Sequence, residues 1–136
     1  MRYLLDTDVV IDHFRGKRLL DLKFIQAGSI SIITLAELLY GVYKSHNPKK
    51  SLETLQKNIL TLQLNVENLN DQAVDEFGQI KAGLEMVGNR LDDFDLLIAA
   101  TASVTNCILV TRNLRHFERI KGLKLYTGLS NEIEKR

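Results

Sequence analysis

The sequence predicts an α/β domain in which helices cover both faces of a parallel sheet. Short apolar runs alternate along the chain with longer segments whose apolar residues recur at helical spacing. The two-residue Asn-Gly and Asp-Gly turns that join hairpin strands are absent. Because parallel strands need long, usually helical connections, this alternation favours a parallel sheet. The length of 136 residues fits one domain, which we place at residues 1–136.

The first half of the chain contains two runs that predict strands and three segments that predict helices. Val9, Val10 and Phe14 recur at helical spacing before Gly16. The run "SISII" is rich in the β-branched residues that favour strands, and Thr34 can cap the helix after it. The predicted elements are a strand at 2–5, a helix at 7–14, a helix at 17–28 closing at Gly28, a strand at 29–33 and a helix at 35–43.

The second half of the chain continues the alternation. Pro48 suits the first turn of a helix, and Asn70 can cap a later one. The segment after Asp95, "LLIAATASV", is nearly all apolar, so we expect that helix to be buried. The predicted elements are a helix at 48–63, a strand at 64–69, a helix at 70–86, a helix at 92–104, a strand at 107–111 and a strand at 123–127.

Composition excludes several classes of protein. Apolar residues make up 45% of the chain, too many for a disordered segment. The net charge of +1 favours no particular partner, so only local clusters can argue for nucleic acid. The single cysteine, Cys107, cannot form an internal disulfide and lies in an apolar run, where we expect a core residue. No apolar run reaches the length of a membrane span and no signal peptide is recognisable, so we expect a soluble, cytoplasmic protein.

Several carboxylates lie where the predicted strands end or helices begin. Asp6 follows the first strand, Glu37 lies in the first turn after the second, and Asp92, Asp93 and Asp95 open the buried helix. Sites in parallel sheets form beyond the carboxyl ends of the strands, which favours a functional reading. A cap at a helix start is the alternative for each aspartate. Glu37 is harder to explain structurally, because no Lys or Arg stands three or four residues after it.

Converging carboxylates indicate a divalent cation. Without one they would repel each other and raise each other's pKa. Oxygen ligands suit Mg²⁺ or Mn²⁺, whereas zinc is disfavoured because His13, His46 and His116 lack close ligand spacing. A carboxylate-held Mg²⁺ keeps waters, can activate one of them and can stabilise charge on a phosphate. The pattern therefore predicts phosphodiester cleavage.

A basic segment follows the strand at 107–111. Residues 112–124 hold five basic residues against Glu118. Basic side chains beside an acidic pocket suit a nucleic-acid backbone, in which the acids bind metal and the bases bind phosphate. We predict that RNA is bound by Arg112, Arg115 and Arg119. A solvated surface segment is the alternative.

Four motifs follow one another as they do in one family of nucleases. The segments "YLLDTDVVID", "SIITLAELLYG", "DLLIAATA" and "LVTRNLRHFERIKGL" resemble those of the PIN-domain ribonucleases, above all the VapC toxins of type II toxin–antitoxin pairs. The resemblance runs from Met1 to about Leu125. It implies a three-layer α/β/α sandwich and a Mg²⁺- or Mn²⁺-dependent endoribonuclease. By the same resemblance Asp6, Glu37 and Asp95 are catalytic metal ligands, with Thr7 and Thr111 near the metal.

The resemblance also implies partners and exposes one departure. It implies cleavage of a structured RNA, for which initiator tRNA cut in its anticodon loop is a candidate. It also implies a homodimer and an antitoxin of the VapB type docking on residues 17–27 and 34–65. Many family members carry a fourth acid after the last motif strand, where this chain has Asn113 and His116. We therefore expect one well-bound ion, with Asn113 acting through water, unless Asp93 replaces the missing acid.

Other interpretations of the aspartates remain open at the level of sequence. Asp8 is expected at the helix start or behind the metal ligands, and Asp12 on the solvated surface. The motif "LLDTD" also resembles the nucleophile motif of haloacid-dehalogenase phosphatases, with Asp6 as nucleophile and Asp8 as acid/base. That family needs late aspartates after an apolar strand and a lysine, and neither is evident. A non-catalytic α/β module that binds a cation is the third possibility, and the Asn113 departure favours it.

Overall fold

The computed structural model of the chain describes residues 1–129, in which strands and helices alternate. The strands are β1 (Tyr3–Leu5), β2 (Gly28–Ser31), β3 (Asn65–Glu67) and β4 (Ile108–Val110). The helices are α1 (Thr7–Phe14), α2 (Leu22–Gln26), α3 (Ile32–Lys44), α4 (Pro48–Leu62), α5 (Asp71–Met86), α6 (Asp93–Val104) and α7 (Leu114–Phe117). Residues 130–136 lie outside the described residues, so a single domain over 1–136 stays a prediction.

The four strands form one parallel sheet in the order β3-β2-β1-β4. The central strand β1 pairs with β2 on one side, Tyr3 opposite Gly28, and with β4 on the other, Leu5 opposite Val110. All carboxyl ends therefore meet at one edge of the sheet. This edge brings together Asp6 after β1, the start of α3 after β2, and Thr111 after β4.

The pleat of β1 sends successive side chains to opposite faces of the sheet. Tyr3 and Leu5 enter one apolar cluster, which also contains residues of α1 to α4. Leu4 enters a second cluster, built with α5, α6 and α7. Helices thus cover both faces, and the predicted three-layer α/β/α architecture is confirmed. No helix within residues 1–129 combines the length and apolar character needed to cross a bilayer.

The helix predicted at 17–28 is wrong in both of its bounds. Only Leu22–Gln26 is helical, and Gly28 opens β2 instead of closing a helix. The residues before α2 are held outside a helix by bonds to α1. Lys17 N–H donates to the Asp12 carbonyl at 2.9 Å, and Leu20 N–H donates to His13 Nδ1 at 3.0 Å. These bonds to the end of α1 replace the i to i−4 bonds that helical spacing alone suggested.

The boundary between β2 and α3 also differs from the prediction. Ile32 and Ile33 were expected in the strand, yet they form the first turn of α3. Ser31, not Thr34, is the cap, and its Oγ accepts a hydrogen bond from Thr34 N–H at 3.0 Å. The cap decides the boundary over the β-branched preference of the two isoleucines. By contrast, Pro48 does begin α4.

The end of the described chain holds two further differences. The predicted strand at 123–127 is reduced to a single parallel bridge between Leu109 and Leu125. The short helix α7 was not predicted, although Phe117 within it is fully buried.

The cap predicted at Asn70, before α5, is confirmed, because its Oδ1 accepts a hydrogen bond from Ala73 N–H at 2.9 Å.

Candidate active site

Asp6 lies at the carboxyl end of the central strand and is only 3% exposed. Its Oδ1 accepts a hydrogen bond from Thr7 N–H at 2.8 Å, so it does cap α1. Its Oδ2 accepts a hydrogen bond from the Thr111 hydroxyl, after β4, at 2.7 Å. The capping interpretation is therefore confirmed for Asp6, and its role as a metal ligand stays a prediction. Two neighbouring strands fix the orientation of a buried carboxylate at the sheet edge.

The surroundings of Asp6 make its negative charge costly. Burial above all, then the charges of Asp8 and Asp95, raises its pKa from 3.8 to about 7, against the opposing hydrogen bonds from Thr111 and Thr7. A cation bound beside this carboxylate would lower its pKa again and favour the charged form. The site thus has the electrostatic character expected where a metal ion binds.

Glu37 reaches the same edge from the second turn of α3. Its Oε1 accepts a hydrogen bond from the Thr7 hydroxyl at 2.5 Å, and the Thr7 and Thr34 hydroxyl oxygens lie 3.0 Å apart. Thr7, the residue directly after Asp6, therefore binds the glutamate of the neighbouring helix α3. Both threonines predicted near the site, Thr7 and Thr111, contact one of its carboxylates.

Asp95 projects from the first turn of α6 and is partly buried. Asp92, not Asp95, caps this helix, because its Oδ2 accepts a hydrogen bond from Phe94 N–H at 3.1 Å. Burial is the largest cause that raises the pKa of Asp95, followed by the charge of Asp92; His116 acts against both, and Glu37 raises the pKa further. The His116 Nδ1 lies 3.8 Å from Asp95 Oδ2. Asp95 is thus within electrostatic range of both other predicted ligands.

The donor chemistry fits a hard divalent ion, but the ligands are not gathered around a preformed cavity. No three His, Cys, Asp or Glu side chains within residues 1–129 are placed so that they already surround an ion. The charge of Asp95 raises the pKa of Asp6, and the charge of Glu37 raises the pKa of Asp95, and a cation would relieve both repulsions. Carboxylate oxygens suit Mg²⁺ or Mn²⁺.

The two candidates for the fourth position differ in their placement. Asp93 points away to α5, where its Oδ1 binds Lys81 Nζ at 2.9 Å with the carboxylate 56% exposed. Asp93 thus pairs with Lys81 in this structure, and its role as a replacement ligand stays a prediction. Asn113 precedes α7, its exposed side chain makes no capping bond, and its N–H donates to Thr111 Oγ1 at 3.0 Å. Asn113 is thus tied by its backbone to the residue that orients Asp6.

Arg112 and Asp12 are not where the sequence suggested. Arg112 was predicted to bind RNA, yet its side chain is 12% exposed and its Nε donates to Asp12 Oδ2 at 3.0 Å. Asp12, expected on the solvated surface, is instead partly buried in this ion pair, with 21% of its side chain exposed. The Arg112 side chain is thus paired with Asp12 and mostly buried, and its binding of RNA stays a prediction. Asp8 and Asp12 lie four residues apart on α1, and that spacing was the available signal that they share a partner.

The other two predicted RNA-binding residues are available at the surface. Arg115 lies on α7 and Arg119 just after it, and both are exposed. Phe117 and Ile120 between them are buried. The segment is therefore anchored by its apolar residues while its arginines face solvent, rather than being a freely solvated loop.

Comparison with known proteins gives consistent results. A family model described as PIN domain matches residues 3–123. Ribonuclease VapC1 of Methanocaldococcus jannaschii is 36% identical over 127 residues, covering 92% of this chain and 87% of the relative. The tRNA(fMet)-specific endonuclease VapC of Salmonella typhimurium is 34% identical over 132 residues, covering 92% and 96%.

Solved structures agree with the sequence relatives. A chain of DNA-bound VapBC from Salmonella typhimurium superposes with a TM-score of 0.83 at 33% identity, covering 93% of this chain and 97% of that one. A chain of VapBC2 from Rickettsia felis, bound to a DNA fragment from its promoter, gives a TM-score of 0.82 at 29% identity, covering 93% and 98%.

Proposed function

Because the chain belongs to the PIN-domain family, we propose that it is an endoribonuclease toxin of the VapC type, hydrolysing RNA phosphodiester bonds until a cognate antitoxin blocks it. One observation carries the proposal. The carboxylate of Asp6 is buried at the end of the central strand, oriented by two threonine-containing segments, with a pKa raised to about 7. A fold that needed only a helix cap would not enclose a charge among other carboxylates.

Asp6, Glu37 and Asp95 would hold one Mg²⁺ or Mn²⁺ ion. When bound, such an ion lowers the pKa of a water ligand and stabilises charge on the phosphate. The protein's own groups supply orientation: Thr111 holds Asp6 and Thr7 holds Glu37. His116, whose Nδ1 lies 3.8 Å from Asp95 Oδ2, has a half-exposed side chain that a bound substrate could contact.

RNA would approach across α7, where Arg115 and Arg119 can bind phosphates. The name of the Salmonella relative supports initiator tRNA as the substrate. Single-stranded loops such as the anticodon loop expose bases that proteins can read. A tRNA substrate would agree with the predicted cytoplasmic location.

The antitoxin would dock on helices α3 and α4. A groove of about 610 Å³ runs between these helices and the end of α1, with Glu37 at its border. Its apolar wall is formed by Ile11, Phe14, Leu38, Val42 and Leu55. An apolar segment of a VapB-like antitoxin laid here could direct a basic side chain toward the carboxylates. This docking mode uses the predicted surface at residues 34–65. The other predicted surface, at residues 17–27, does not line the groove. Assembly as a homodimer stays a prediction.

Cleavage of purified RNA tests the proposed function. We expect the protein to cut initiator tRNA at one site with Mg²⁺ or Mn²⁺ and to lose this activity with excess EDTA, because hydrolysis needs the metal-bound water. Sequencing of RNA ends after induction in cells identifies the cut. Cuts scattered through mRNA, with no favoured tRNA, would contradict the tRNA substrate but not the nuclease. Absence of cleavage would favour a non-catalytic module.

The missing fourth acid gives a second expectation. With three acidic ligands, one strong ion site is expected before RNA binds, and any second ion should arrive with the substrate phosphate. Asn113→Asp should then tighten Mn²⁺ binding, on the order of 10-fold, because one more charge lies beside the site. Titration calorimetry with Mn²⁺ measures both variants. Asp93→Asn is the matched control, and we expect it to bind like the wild type because Asp93 pairs with Lys81. Two strong sites in the wild-type protein would refute the one-ion interpretation.

A further inference from the structure

Two carboxylates on α1 accept hydrogen bonds from the same residue, Arg112, which follows β4. Asp8 and Asp12 are four positions apart and so lie on the same face of the helix. Asp8 Oδ2 accepts a hydrogen bond from Arg112 N–H at 3.1 Å, and Asp12 Oδ2 accepts one from Arg112 Nε at 3.0 Å. The backbone and the side chain of Arg112 are thus both held. We call this set of three residues, Asp8, Asp12 and Arg112, the Arg112 clamp.

The Arg112 clamp adjoins the two residues that border the predicted metal site. Thr111, directly before Arg112, donates its hydroxyl hydrogen to Asp6 Oδ2 and accepts one from Asn113 N–H. A shift of the Arg112 backbone would therefore move the Thr111 hydroxyl away from Asp6. The same shift would move Asn113, which follows directly. The bonds to α1 therefore help to fix the position of residues 111–113, which follow β4.

The energetics of the clamp argue against a purely structural role. Arg112 is a largely enclosed cation, and burial lowers its pKa, as does the charge of Arg18. Within the part of the chain that the structure describes, Asp8 Oδ1 and Arg112 Nη1 are buried without a hydrogen-bond partner. Unsatisfied buried polar atoms are costly, and an apolar contact would join α1 to β4 at lower cost. We therefore infer that the charges of the Arg112 clamp serve the neighbouring site as well as the stability of the fold.

We propose that Asp12 is a positioning residue for the nuclease site, which it serves by holding the Arg112 guanidinium and so fixing the 111–113 segment against α1. Thr111 then orients Asp6, and Asn113 stays at the border of the site. Asp12 itself touches neither the ion nor RNA. The inference rests on the proposed function for its catalytic consequence, but its effect on metal binding can be measured without RNA.

The test compares Asp12→Ala, Arg112→Ala and the double variant with the wild type. We expect Asp12→Ala to lower both kcat and the affinity for Mn²⁺, each about 10- to 100-fold, as for residues that support metal ligands. KM for RNA should change less than about 2-fold, because no phosphate contact is lost. The double variant should be no worse than Arg112→Ala, since Asp12 acts through Arg112. Asp12→Asn keeps an acceptor for Arg112 Nε and should be intermediate, which serves if Asp12→Ala does not fold.

A control variant separates positioning from general loss of stability. Leu84→Ala on α5 removes a buried side chain from the opposite face of the sheet, so it should lower the melting temperature while leaving Mn²⁺ affinity unchanged. Asp12 variants that lose stability but keep wild-type Mn²⁺ affinity would overturn the proposal. So would Arg112→Ala that raises KM and weakens the salt dependence of RNA binding, because Arg112 would then contact phosphate directly.

Failure of the proposed function has a different signature. A wild-type protein that binds Mn²⁺ but cleaves no RNA refutes the nuclease assignment, while the calorimetry of the Asp12 variants still decides the positioning role. A wild-type protein that neither binds Mn²⁺ nor cleaves RNA overturns both.

Discussion

Replacing Asp6 with asparagine is expected to lower RNA cleavage by at least about 1,000-fold, or about 4 kcal/mol of transition-state stabilisation. The same change should raise the melting temperature of the metal-free protein. Asparagine fits the position, since its oxygen can accept from Thr7 N–H and its amide can donate to the Thr111 hydroxyl. The fold therefore keeps its hydrogen bonds and loses a costly buried charge.

The gain in stability should depend on pH. Asp6 has a pKa of about 7 in the folded protein and an ordinary value of 3.8. The folded state thus binds this proton more tightly than the unfolded state, so the wild type loses stability as pH rises from about 4 through about 7. The difference between the two curves reports the Asp6 charge together with its interactions with Asp8 and Asp95. We expect Asp6→Asn to exceed the wild type in melting temperature at pH 8 and to match it at pH 4.

Thermal unfolding with and without Mn²⁺ completes this test. The ion should raise the melting temperature of the wild type, because it binds the folded state, and should have little effect on Asp6→Asn. A variant less stable than the wild type at pH 8 without metal would contradict the view that Asp6 is an uncompensated charge. A variant that cleaves RNA at the wild-type rate would remove Asp6 from the site altogether.

Gly28→Ala is expected to produce the largest loss of stability, about 3 kcal/mol or more in the free energy of unfolding. Gly28 begins β2 and stands opposite Tyr3 of the central strand. A Cβ at this position would overlap the backbone carbonyl of Phe24 and lie 3.2 Å from Leu5 Cδ1. The carbonyl belongs to α2 and cannot turn aside as a flexible side chain could. Relief would require moving α2 away from the sheet, and urea denaturation would measure the cost.

Gly78→Ala provides the matched control. Gly78 lies in the middle of α5, is exposed, and has no atom within 4 Å of the position that a Cβ would take. Alanine there should stabilise the protein by up to about 1 kcal/mol, because glycine is a poor helix former. If Gly28→Ala proved as stable as Gly78→Ala, the close packing of α2 on β2 would be wrong.

The sequence was a good guide where local signals and burial agree. Helices α4 and α5 begin where Pro48 and Asn70 indicated, and the apolar run before Asp6 is the central strand. It was a poor guide where two local signals compete or where a side chain replaces a helical bond. Ile32 follows both a β-branched run and a serine able to cap a helix, and the cap decides. Leu20 N–H finds its acceptor on the His13 side chain, which apolar spacing does not reveal.

The candidate site divides in the same way. Asp6 and Asp95 could be placed at the carboxyl edge of the sheet because they follow β1 and open α6, and Glu37 because its helix starts there; their role as metal ligands stays a prediction. The pairing of Asp12 with Arg112 joins residues 100 positions apart, and both look like ordinary surface charges in the sequence. Only the fold reveals that such residues meet.

The bond from Thr111 to Asp6 also has a consequence for synthesis of the chain. The two residues are 105 positions apart, so at translation rates of about 5–20 residues per second the first strand waits on the order of 5–20 s for the segment that completes its site. A nascent chain that has not yet produced β4 lacks the sheet neighbour of Asp6 and cannot orient this carboxylate. A ribosome making the protein therefore does not meet an active nuclease from its own unfinished chain, and a message truncated before Thr111 yields a harmless fragment.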